Sequence, residues 1–590
     1  MSTQTPTRRL LILYGSQTGT AEDVANQIAL GARRLHLDTT ISAMDECEPQ
    51  SLFEDTYTIF VLSTTGQGSE PQNMKKIWKS ICQAKLPLDL FQSLKFTIFG
   101  LGDSNYSKFN WAAKKLYRRL IQLGAIEFYS RGEADDQNPN GIDTTLIPWL
   151  ASLWPTLLEL MPLPLGLTIL PDTDLLPARF TLKPCEHAQV SSSAALPVFS
   201  PTIATLSMNR RLTPIEHWQD TRHLEFDFGE DLNFLPGSVA SLMPENHPDD
   251  VSRFLSLMKW DGIADQLFQW SSAIKGQPLL APLAAPITLR QLFTTYFDIL
   301  SVPKKSFINW LSYFTTNPDH TERLKEFCSF DGQDDLYDYI NRPRRTILEV
   351  LSDFKSVSIP LDYIPDIFPR IRPRQFSIAS SSKMFPRQIH LLVAVVNYRT
   401  RISTPRKGLC TSWLARLKPG SRVPVRIEPG WFKFPSDPNK AVICVGPGTG
   451  IAPFRSLIQE RSIQDSKKMN HLIIYGCRNR DKDFYYRNEW EEFESRGICK
   501  FHSAASRDQE RKHYVQHEIE KHADEVWELM SKQEASIYIS GSAGQMPKAV
   551  RKALKGVCLS QGKMKEEEGK VDEHIEMLDR TGRLQEETWS

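Results

Sequence analysis

The sequence has almost no excess charge, no long apolar run and no cysteine pair at redox or metal-ligand spacing. Its 590 residues carry 71 Lys and Arg against 70 Asp and Glu, so the balance indicates neither a nucleic acid nor an anionic membrane surface as a partner. No run of about 18 apolar residues is present, and we expect no membrane anchor. The nine cysteines are scattered, which speaks against a Cys/His metal site and a disulfide framework and favours the reducing cytosol.

The length predicts several domains, and distinct patterns follow one another along the chain. Residues 1–154 alternate apolar runs with helical patterns, which indicates an α/β domain with a parallel sheet. Residues 155–200 are rich in proline and are expected to form a linker. Residues 201–435 are typical of a small antiparallel barrel, with a helical insertion at about 246–355. Residues 436–590 predict a second α/β domain, so the fold class is multidomain α/β.

Three loops of the first domain each follow a predicted strand and are expected to share one crevice, because loops at the carboxyl ends of parallel strands converge. They are Gly15–Thr20, Ser63–Gly68 and Gly100–Tyr106. The small and hydroxyl residues of the first loop suit a phosphate at a helix N-terminus, and this loop lacks the lysine of a triphosphate-binding loop. Tyr106 would lie flat on a flavin ring. Asp136 lies in an acidic stretch for which flavin contact and plain solvation are almost equally well supported.

Two motifs in the barrel region carry groups suited to FAD. Arg374–Ser380 combines an arginine for pyrophosphate, an aromatic ring for flavin stacking and a serine for the reactive edge of the flavin. Gly408–Ser412 leads into a helix, and its backbone donors also suit pyrophosphate. Arg344 would add a phosphate contact. Each motif alone is common in proteins, and their order and spacing are what favour FAD.

The last domain carries a candidate NADPH site. The glycine-rich turn Gly446–Pro453 follows a strand and allows a cofactor to approach the backbone closely. Ser506, Arg507 and Lys512 offer donors for the 2′-phosphate that distinguishes NADPH from NADH, although a solvated charged face is the alternative. Trp589 ends a polar tail and is expected to cover the FAD ring. The alternative for Trp589 is a docking residue that only closes the domain.

In order and spacing, these motifs resemble the diflavin reductase family over nearly the whole chain. They are GSQTGT at 15–20, RQFS at 374–377 with GLCTS at 408–412, GPGTGIAP at 446–453, and the run from 506 to 516. The resemblance implies a flavodoxin-like FMN domain, an antiparallel β-barrel FAD domain with a helical insertion, and an α/β NADP-binding domain of the ferredoxin-reductase type. The phrase STTGQG at 63–68 and the ending ETWS look most like the NADPH-dependent diflavin oxidoreductases of cytosolic iron–sulfur protein assembly.

The resemblance also implies which residues contact each cofactor. Those for FMN are Gly15, Ser16, Gln17, Thr18, Gly19, Thr20, Ser63, Thr64, Thr65, Gly66, Leu101, Gly102, Asp103, Ser104, Asn105, Tyr106, Ser107, Lys108, Phe109, Asn110 and Asp136. Those for FAD are Arg344, Arg374, Gln375, Phe376, Ser377, Gly408, Leu409, Cys410, Thr411 and Trp589. Those for NADPH are Thr449, Ser506, Arg507, Lys512, His513, Tyr514, Val515 and Gln516. Ser377, Glu587 and Trp589 are the residues expected to position the reactants for hydride transfer, and no metal ligands are expected.

The chain departs from the family pattern at several positions. Thr65 stands where many relatives have an aromatic residue, and Phe376 stands where the family has a tyrosine beside FAD. The Cys-Gly-Asp of the monooxygenase reductases is Ser540-Gly541-Ser542 here. We therefore expect no proton role for Ser540.

The activity implied by the resemblance is electron transfer from NADPH through FAD and FMN to an iron–sulfur protein of the anamorsin type, in cytosolic iron–sulfur cluster assembly. Two alternatives stay open at this stage. One is a reductase for a haem-thiolate monooxygenase or another acceptor, and the other is an assembly scaffold that has lost turnover. We expect a cytoplasmic monomer.

Overall fold

The computed structural model describes residues 8–47, 52–53, 57–66, 68–106, 108–185, 201–274, 277–279, 283–402, 404–464, 470–561 and 568–589. They form two compact units. The first unit holds the described residues up to 185 together with those of 245–372 and 400–402. The second holds 201–244, 373–399 and the described residues from 404 to 589.

The strands are β1 (Arg9–Gly15), β2 (Asp38–Ala43), β3 (Tyr57–Ser63), β4 (Lys95–Gly102), β5 (Ile126–Glu127), β6 (Gly132–Asp135), β7 (Phe180–Pro184), β8 (Thr202–Arg211), β9 (Thr221–Asp227), β10 (Val239–Leu242), β11 (Leu267–Ser272), β12 (Ile287–Thr288), β13 (Arg374–Ser377), β14 (Gln388–Ala394), β15 (Asn397–Tyr398), β16 (Arg406–Lys407), β17 (Arg422–Glu428), β18 (Val442–Pro447), β19 (His471–Cys477), β20 (Lys500–Ala505), β21 (Ser536–Ser542) and β22 (Leu584–Trp589). The helices are α1 (Thr20–Arg34), α2 (Lys75–Ile81), α3 (Trp111–Gln122), α4 (Asp143–Leu160), α5 (Pro248–Leu257), α6 (Leu289–Thr295), α7 (Lys305–Tyr313), α8 (Pro318–Cys328), α9 (Gln333–Leu336), α10 (Ile347–Asp353), α11 (Ile364–Ile367), α12 (Leu409–Arg416), α13 (Ala452–Ile463), α14 (Arg487–Ser495), α15 (Val515–Lys521), α16 (Ala523–Ser531), α17 (Gln545–Gln561) and α18 (Glu568–Arg580).

The first unit begins with a doubly wound parallel sheet. Its strand order is β2-β1-β3-β4-β5, with β6 beside β4. The strands are apolar throughout because helices cover both faces. Helices α1 and α4 pack on one face, and α2 and α3 pack on the other. This order is that of flavodoxin-like sheets, whose ligands bind at the carboxyl ends of the strands.

Helix α4 continues past the predicted domain end at Trp154 and into the proline-rich segment. Leu157 and Met161 are buried in the core that α4 shares with α1, and their burial compensates for the backbone hydrogen bond that Pro155 removes. Beyond the helix, Arg33 and Arg34 of α1 donate hydrogen bonds to the backbone carbonyls of the chain at 171–177. The segment 155–185 is therefore a helix end, a packed loop and strand β7, whereas the rest of the predicted linker, 186–200, lies outside the described residues.

The helical insertion forms the remainder of the first unit. Helices α5 to α11 surround an aromatic core that includes Phe254, Phe293 and Phe368, whose rings meet at 4.5–5.4 Å between centroids. A three-stranded sheet of order β12-β11-β7 covers one side. Helical structure continues to Ile367, beyond the predicted end at about 355.

The second unit contains the predicted barrel. Its six strands run β13-β10-β17-β8-β9-β14, each antiparallel to its neighbour. An antiparallel bridge between Ile378 and Leu391 joins the first strand of this order to the last and closes the sheet. Closure leaves no free edge in the barrel, and its interior is filled by apolar side chains such as Phe226 and Trp413.

The second unit ends in a parallel sheet of order β20-β19-β18-β21-β22. The polar stretch before Ser590, which the sequence suggests is a tail, is strand β22 and pairs with β21 along its whole length. The multidomain α/β fold with a barrel and a helical insertion is thereby confirmed. Among the helices of the described ranges, none is long and apolar enough to cross a membrane.

Candidate active site

The loop after β1 has the geometry of a phosphate-binding loop. The Gly19 N–H donates to Ser16 Oγ at 3.0 Å, and the Ser16 N–H donates to Asn73 Oδ1 at 2.8 Å. Gly19 has φ of 102°, a left-handed conformation that glycine adopts without strain, and it directly precedes the N-terminus of α1. Unpaired backbone N–H groups of that helix therefore point towards the loop.

The three predicted loops lie side by side at the carboxyl end of the sheet. The Thr64 N–H donates to the Leu101 carbonyl at 3.0 Å, and the Asp136 N–H donates to the Gly102 carbonyl at 2.9 Å. Tyr106 is 41% exposed, which suits a ring available for stacking. Asn110 is fully buried, yet its Oδ1 atom has no hydrogen-bond partner among the described residues. These features fit a bound flavin mononucleotide, whereas Ser107 lies outside the described residues.

Two arginines outside every predicted motif lie against the phosphate loop within the first unit. Arg372 donates to the Ser16 carbonyl at 3.5 Å, and a Cβ atom added at Gly19 would lie 3.2 Å from its Nε atom. Arg370 and Arg372 both pair with Glu22 in the first turn of α1. Burial raises the pKa of Glu22, but the two arginines outweigh burial and bring this pKa from 4.5 down to about 2. No local pattern could reveal these contacts, because they join residues about 350 positions apart.

The two FAD motifs lie close together in the barrel. Arg374 begins β13, and Cys410 lies in the first turn of α12. Burial raises the pKa of the Cys410 thiol to about 12, with the nearby charge of Arg374 acting in the opposite direction. A guanidinium group beside a helix N-terminus fits the pyrophosphate of FAD. The Cys410 thiol is buried and packs in the barrel core, so it acts as a small apolar group.

The end of the chain reaches the same region of the second unit. The Ser377 Oγ donates to Glu587 Oε2 at 3.4 Å, and Glu587 lies opposite Ser540 in the register of β22 with β21. Burial raises the pKa of Glu587 to about 7, while the hydrogen bond from Ser377 lowers it. The Ser540 Oγ is buried and has no hydrogen-bond partner in the described part of the chain. Two hydroxyls and one carboxyl group thus share one site.

The glycine-rich turn after β18 packs against this site. Thr449 lies in a single turn of 3-10 helix, Gly448–Ile451. A Cβ atom at Gly450 would lie 2.1 Å from the Ser540 carbonyl oxygen, so only glycine permits the turn to approach β21. Gly450 belongs to the turn that we expected to let a cofactor approach the backbone, and it therefore also allows this close contact with β21.

Trp589 lies at the exposed end of β22 and is 40% exposed. Its backbone carbonyl accepts a hydrogen bond from the Ala543 N–H at 2.8 Å. Its expected role over the FAD ring stays a prediction. Arg344, which belongs to the first unit, has φ of 55°, and its expected FAD contact also stays a prediction.

A cavity of about 430 Å³ lies at the predicted 2′-phosphate motif. Arg480, Arg511 and Lys512 line it and bring three positive charges together. Of these, the sequence predicted Lys512, whereas Arg480 comes from the loop after β19 and carries no motif. His513 also lines the cavity and bonds to Glu518 Oε1 at 2.7 Å. The cluster fits a dianionic phosphate.

The other residues that were predicted to bind NADPH differ from one another in their exposure to solvent. Arg507 and Tyr514 are exposed, Gln516 is half-buried, and Ser506 is buried with its N–H bonded to the Cys477 carbonyl. The Val515 side chain is buried in the core under α15, so only its backbone is available to a ligand. The contacts of all these residues with NADPH stay predictions.

Comparison with known proteins agrees with this architecture. Family models match a flavodoxin at residues 12–149, an FAD binding domain at 198–413 and an oxidoreductase NAD-binding domain at 444–552. A zebrafish (Danio rerio) protein named NADPH-dependent diflavin oxidoreductase 1 is 43% identical over 98% of this chain and 99% of its own length. Proteins of the same name from Xenopus laevis and Schizosaccharomyces pombe are 40% and 37% identical, over 99% and 98% of this chain and 100% and 99% of their own lengths.

The domain set and the similarity lead to the same conclusion. A flavodoxin domain, an FAD domain and an NADP domain in one chain make this protein an oxidoreductase that uses FMN, FAD and NADPH. The similarity covers nearly the full length of both chains in each comparison. The chain therefore belongs to the family of NADPH-dependent diflavin oxidoreductases.

Proposed function

We propose that this enzyme transfers electrons from NADPH to an iron–sulfur protein of the anamorsin type, in cytosolic iron–sulfur cluster assembly. When bound, FAD accepts a hydride from NADPH and FMN passes single electrons to the acceptor, which is chemistry that belongs to the cofactors. The observation that carries the proposal is the site formed by Ser377, Ser540 and Glu587, because it equips the barrel for hydride transfer. The acceptor rests on the sequence resemblance, through STTGQG at 63–68 and the ending ETWS.

The protein's own contribution at this site is positioning and proton control. With a pKa of about 7, Glu587 carries its proton below neutral pH, and its carboxyl group then needs no counter-charge. The Ser377 hydroxyl holds one carboxyl oxygen and so fixes the orientation of the group. The strand register keeps Ser540 beside Glu587.

The acceptor is tested by anaerobic reduction with purified components. The flavin-loaded enzyme is mixed with NADPH and either an oxidised iron–sulfur protein of the anamorsin type or a haem-thiolate monooxygenase, and reduction is followed by absorbance. We expect fast reduction of the iron–sulfur protein and slow reduction of the haem protein. Ferricyanide, a small acceptor that needs no docking surface, serves as the control for turnover.

Each alternative gives a different result. Fast reduction of the haem protein alone would favour a monooxygenase reductase. Reduction of ferricyanide but of neither protein would refute both acceptors and leave the oxidoreductase chemistry intact. An absence of ferricyanide reduction in fully flavin-loaded enzyme would indicate a scaffold without turnover.

A further inference from the structure

Three side chains that no cofactor motif includes come together in the NADP domain. They are His502 on β20, His522 at the junction of α15 and α16, and Glu525 in the first turn of α16. One ligand atom from each lies within 4.8 Å of the other two. The imidazole rings are stacked, with centroids 3.7 Å apart and planes inclined by 5°. All three are half-buried, so the cluster is accessible from solvent.

We propose that His502, His522 and Glu525 form a binding site for a divalent transition metal ion, specifically Zn²⁺. Two imidazoles and one carboxylate are a common ligand set for zinc, with the fourth position left to water. Zinc–ligand bonds of about 2.0–2.2 Å place tetrahedral ligand atoms roughly 3.4 Å apart. Each imidazole binds through a lone pair in its own ring plane, so the two stacked rings must turn out of their parallel arrangement to bind one ion. His502 lies on a strand and Glu525 on a helix, and His522 lies in the turn between two helices, so regular structure holds the backbone around all three.

The existing contacts of the cluster are compatible with metal binding. His502 Nε2 is 2.8 Å from Glu525 Oε2, a position where a metal ion would replace a proton. His522 Nε2 is 3.3 Å from Glu518 Oε2, which gives the second histidine a carboxylate partner, one that it shares with His513 and Lys521. Burial first, and then the neighbouring His502, lower the pKa of His522. A neutral imidazole is the form that a metal ion binds.

One cation already competes for the site. Lys500 donates to Glu525 Oε1 at 2.6 Å, although its side chain is 71% exposed and is therefore free to swing into solvent. A metal ion at the site would displace this ammonium group. The competition gives a signature that a purely structural histidine pair would not show, because removal of Lys500 should strengthen metal binding.

A second histidine cluster in the same unit lacks these properties. His223, Glu225 and His390 also lie within 4.8 Å of one another. However, Arg455 Nη1 is 3.4 Å from His390 Nδ1, and the positive charge opposes a metal ion. His223 already bonds through both ring nitrogens, to Tyr486 and Glu225. This buried cluster is therefore assigned to packing and hydrogen bonding.

The proposed metal would join the two elements that flank the NADPH loop, strand β20 and helix α15. Strand β20 ends at Ala505 and α15 begins at Val515, so residues 506–514, which carry Arg507 and Lys512, lie between His502 and His522. A metal ion bound by both histidines would fix the far end of α15 against β20. Any coupling between the metal ion and NADP⁺ through these elements is reciprocal, so that each changes the affinity of the other by the same factor.

The test is metal titration of the full chain with its flavins bound, after removal of metals by a chelator. Co²⁺ replaces Zn²⁺ as the probe, because its visible absorption reports coordination geometry, and Zn²⁺ is then titrated in competition. We expect one Co²⁺ per chain with a four-coordinate spectrum. His522→Gln and Glu525→Gln should each weaken binding by at least about tenfold, the smaller end of the loss seen when even an outer-shell partner is removed. Lys500→Gln should strengthen it.

His574→Gln is the matched control, since it removes a half-buried histidine from α18 of the same domain and should leave the titration unchanged. Glu525→Gln preserves side-chain shape, so it guards against a folding defect in His522→Gln, and flavin content checks the fold of each variant. The proposal is overturned by weak or absent Co²⁺ binding in the wild-type chain. It is also overturned by equal affinity in wild type, His522→Gln and Glu525→Gln.

Discussion

The Glu587 carboxyl group provides the sharpest test of the proposed hydride-transfer site. Its pKa is raised from 4.5 to about 7 by burial, which at 1.36 kcal/mol per pKa unit corresponds to about 3 kcal/mol against the charged form. The folded pKa lies above the unfolded one. The stability contributed by the group is therefore fully present below pH 4.5 and is lost as the pH rises through about 7.

The perturbation is Glu587→Gln, which retains the shape of the protonated side chain and cannot ionise. In single-turnover stopped-flow measurements of flavin reduction by NADPH, wild-type enzyme should show an inflection near pH 7, because the carboxyl group changes charge there. The variant should lack this inflection. Any inflection from titration of the NADPH phosphate appears in both proteins and is removed by comparing them.

Ser377→Ala supplies a second test with a defined sign. The Ser377 hydrogen bond lowers the pKa of Glu587, so its removal should move the inflection to higher pH. A Ser377→Ala profile displaced to lower pH, or an unchanged inflection in Glu587→Gln, would refute the assignment of this carboxyl group. Rescue by Ser377→Thr, which restores a hydroxyl, distinguishes the hydrogen bond from packing.

Three further variants test the other sites. The double variant Arg507→Ala/Lys512→Ala should raise the KM for NADPH by about tenfold or more and change the KM for NADH little. The reason is that each charge-assisted hydrogen bond to the 2′-phosphate contributes roughly 1.5–3 kcal/mol. Equal effects on the two KM values in steady-state assays would contradict the assignment of these residues to the phosphate. Trp589→Ala should reduce the preference for NADPH over NADH in the same assay. If the ratio of kcat/KM for NADPH to kcat/KM for NADH is unchanged, Trp589 does not cover the FAD ring. Glu22→Gln should weaken FMN retention, measured by flavin fluorescence after dilution, because it breaks the ion pairs that position Arg370 and Arg372 beside the phosphate loop. FMN retention equal to that of the wild-type protein would show that this ion cluster does not support the loop.

Local sequence patterns predicted the parts of this molecule that depend on local interactions. The apolar run Leu10–Tyr14 lies within β1, and the turn after Val442–Val445 follows β18 as expected. In both cases a strand buried on both faces must be apolar, and the loop that follows must contain small residues to approach a ligand. Cofactor loops are recognisable for the same reason, since a phosphate needs backbone donors within a few consecutive residues.

Long-range contacts account for what the sequence did not predict. Glu22 looks like an ordinary acidic residue in the first turn of a helix, where it suits the helix dipole. Only the folded chain brings Arg370 and Arg372 to it and makes it part of a half-buried ion cluster. His502 and His522 are likewise separated by a helix and a loop. No spacing rule for metal ligands would have joined them.

Strand β22 places Glu587 and Trp589 at the candidate hydride-transfer site. Its pairing with β21 fixes Glu587 opposite Ser540 and Trp589 opposite Ser542, so the positions of both residues depend on one parallel register. A shift of one residue would turn every side chain of the strand to the opposite face, which would remove Glu587 from Ser377. The hydrogen bond from the Ala543 N–H to the Trp589 carbonyl uses the backbone and is kept in Trp589→Ala, but it is lost when the residue is deleted. The substitution therefore measures the indole ring alone, whereas truncation would also loosen the strand that carries Glu587.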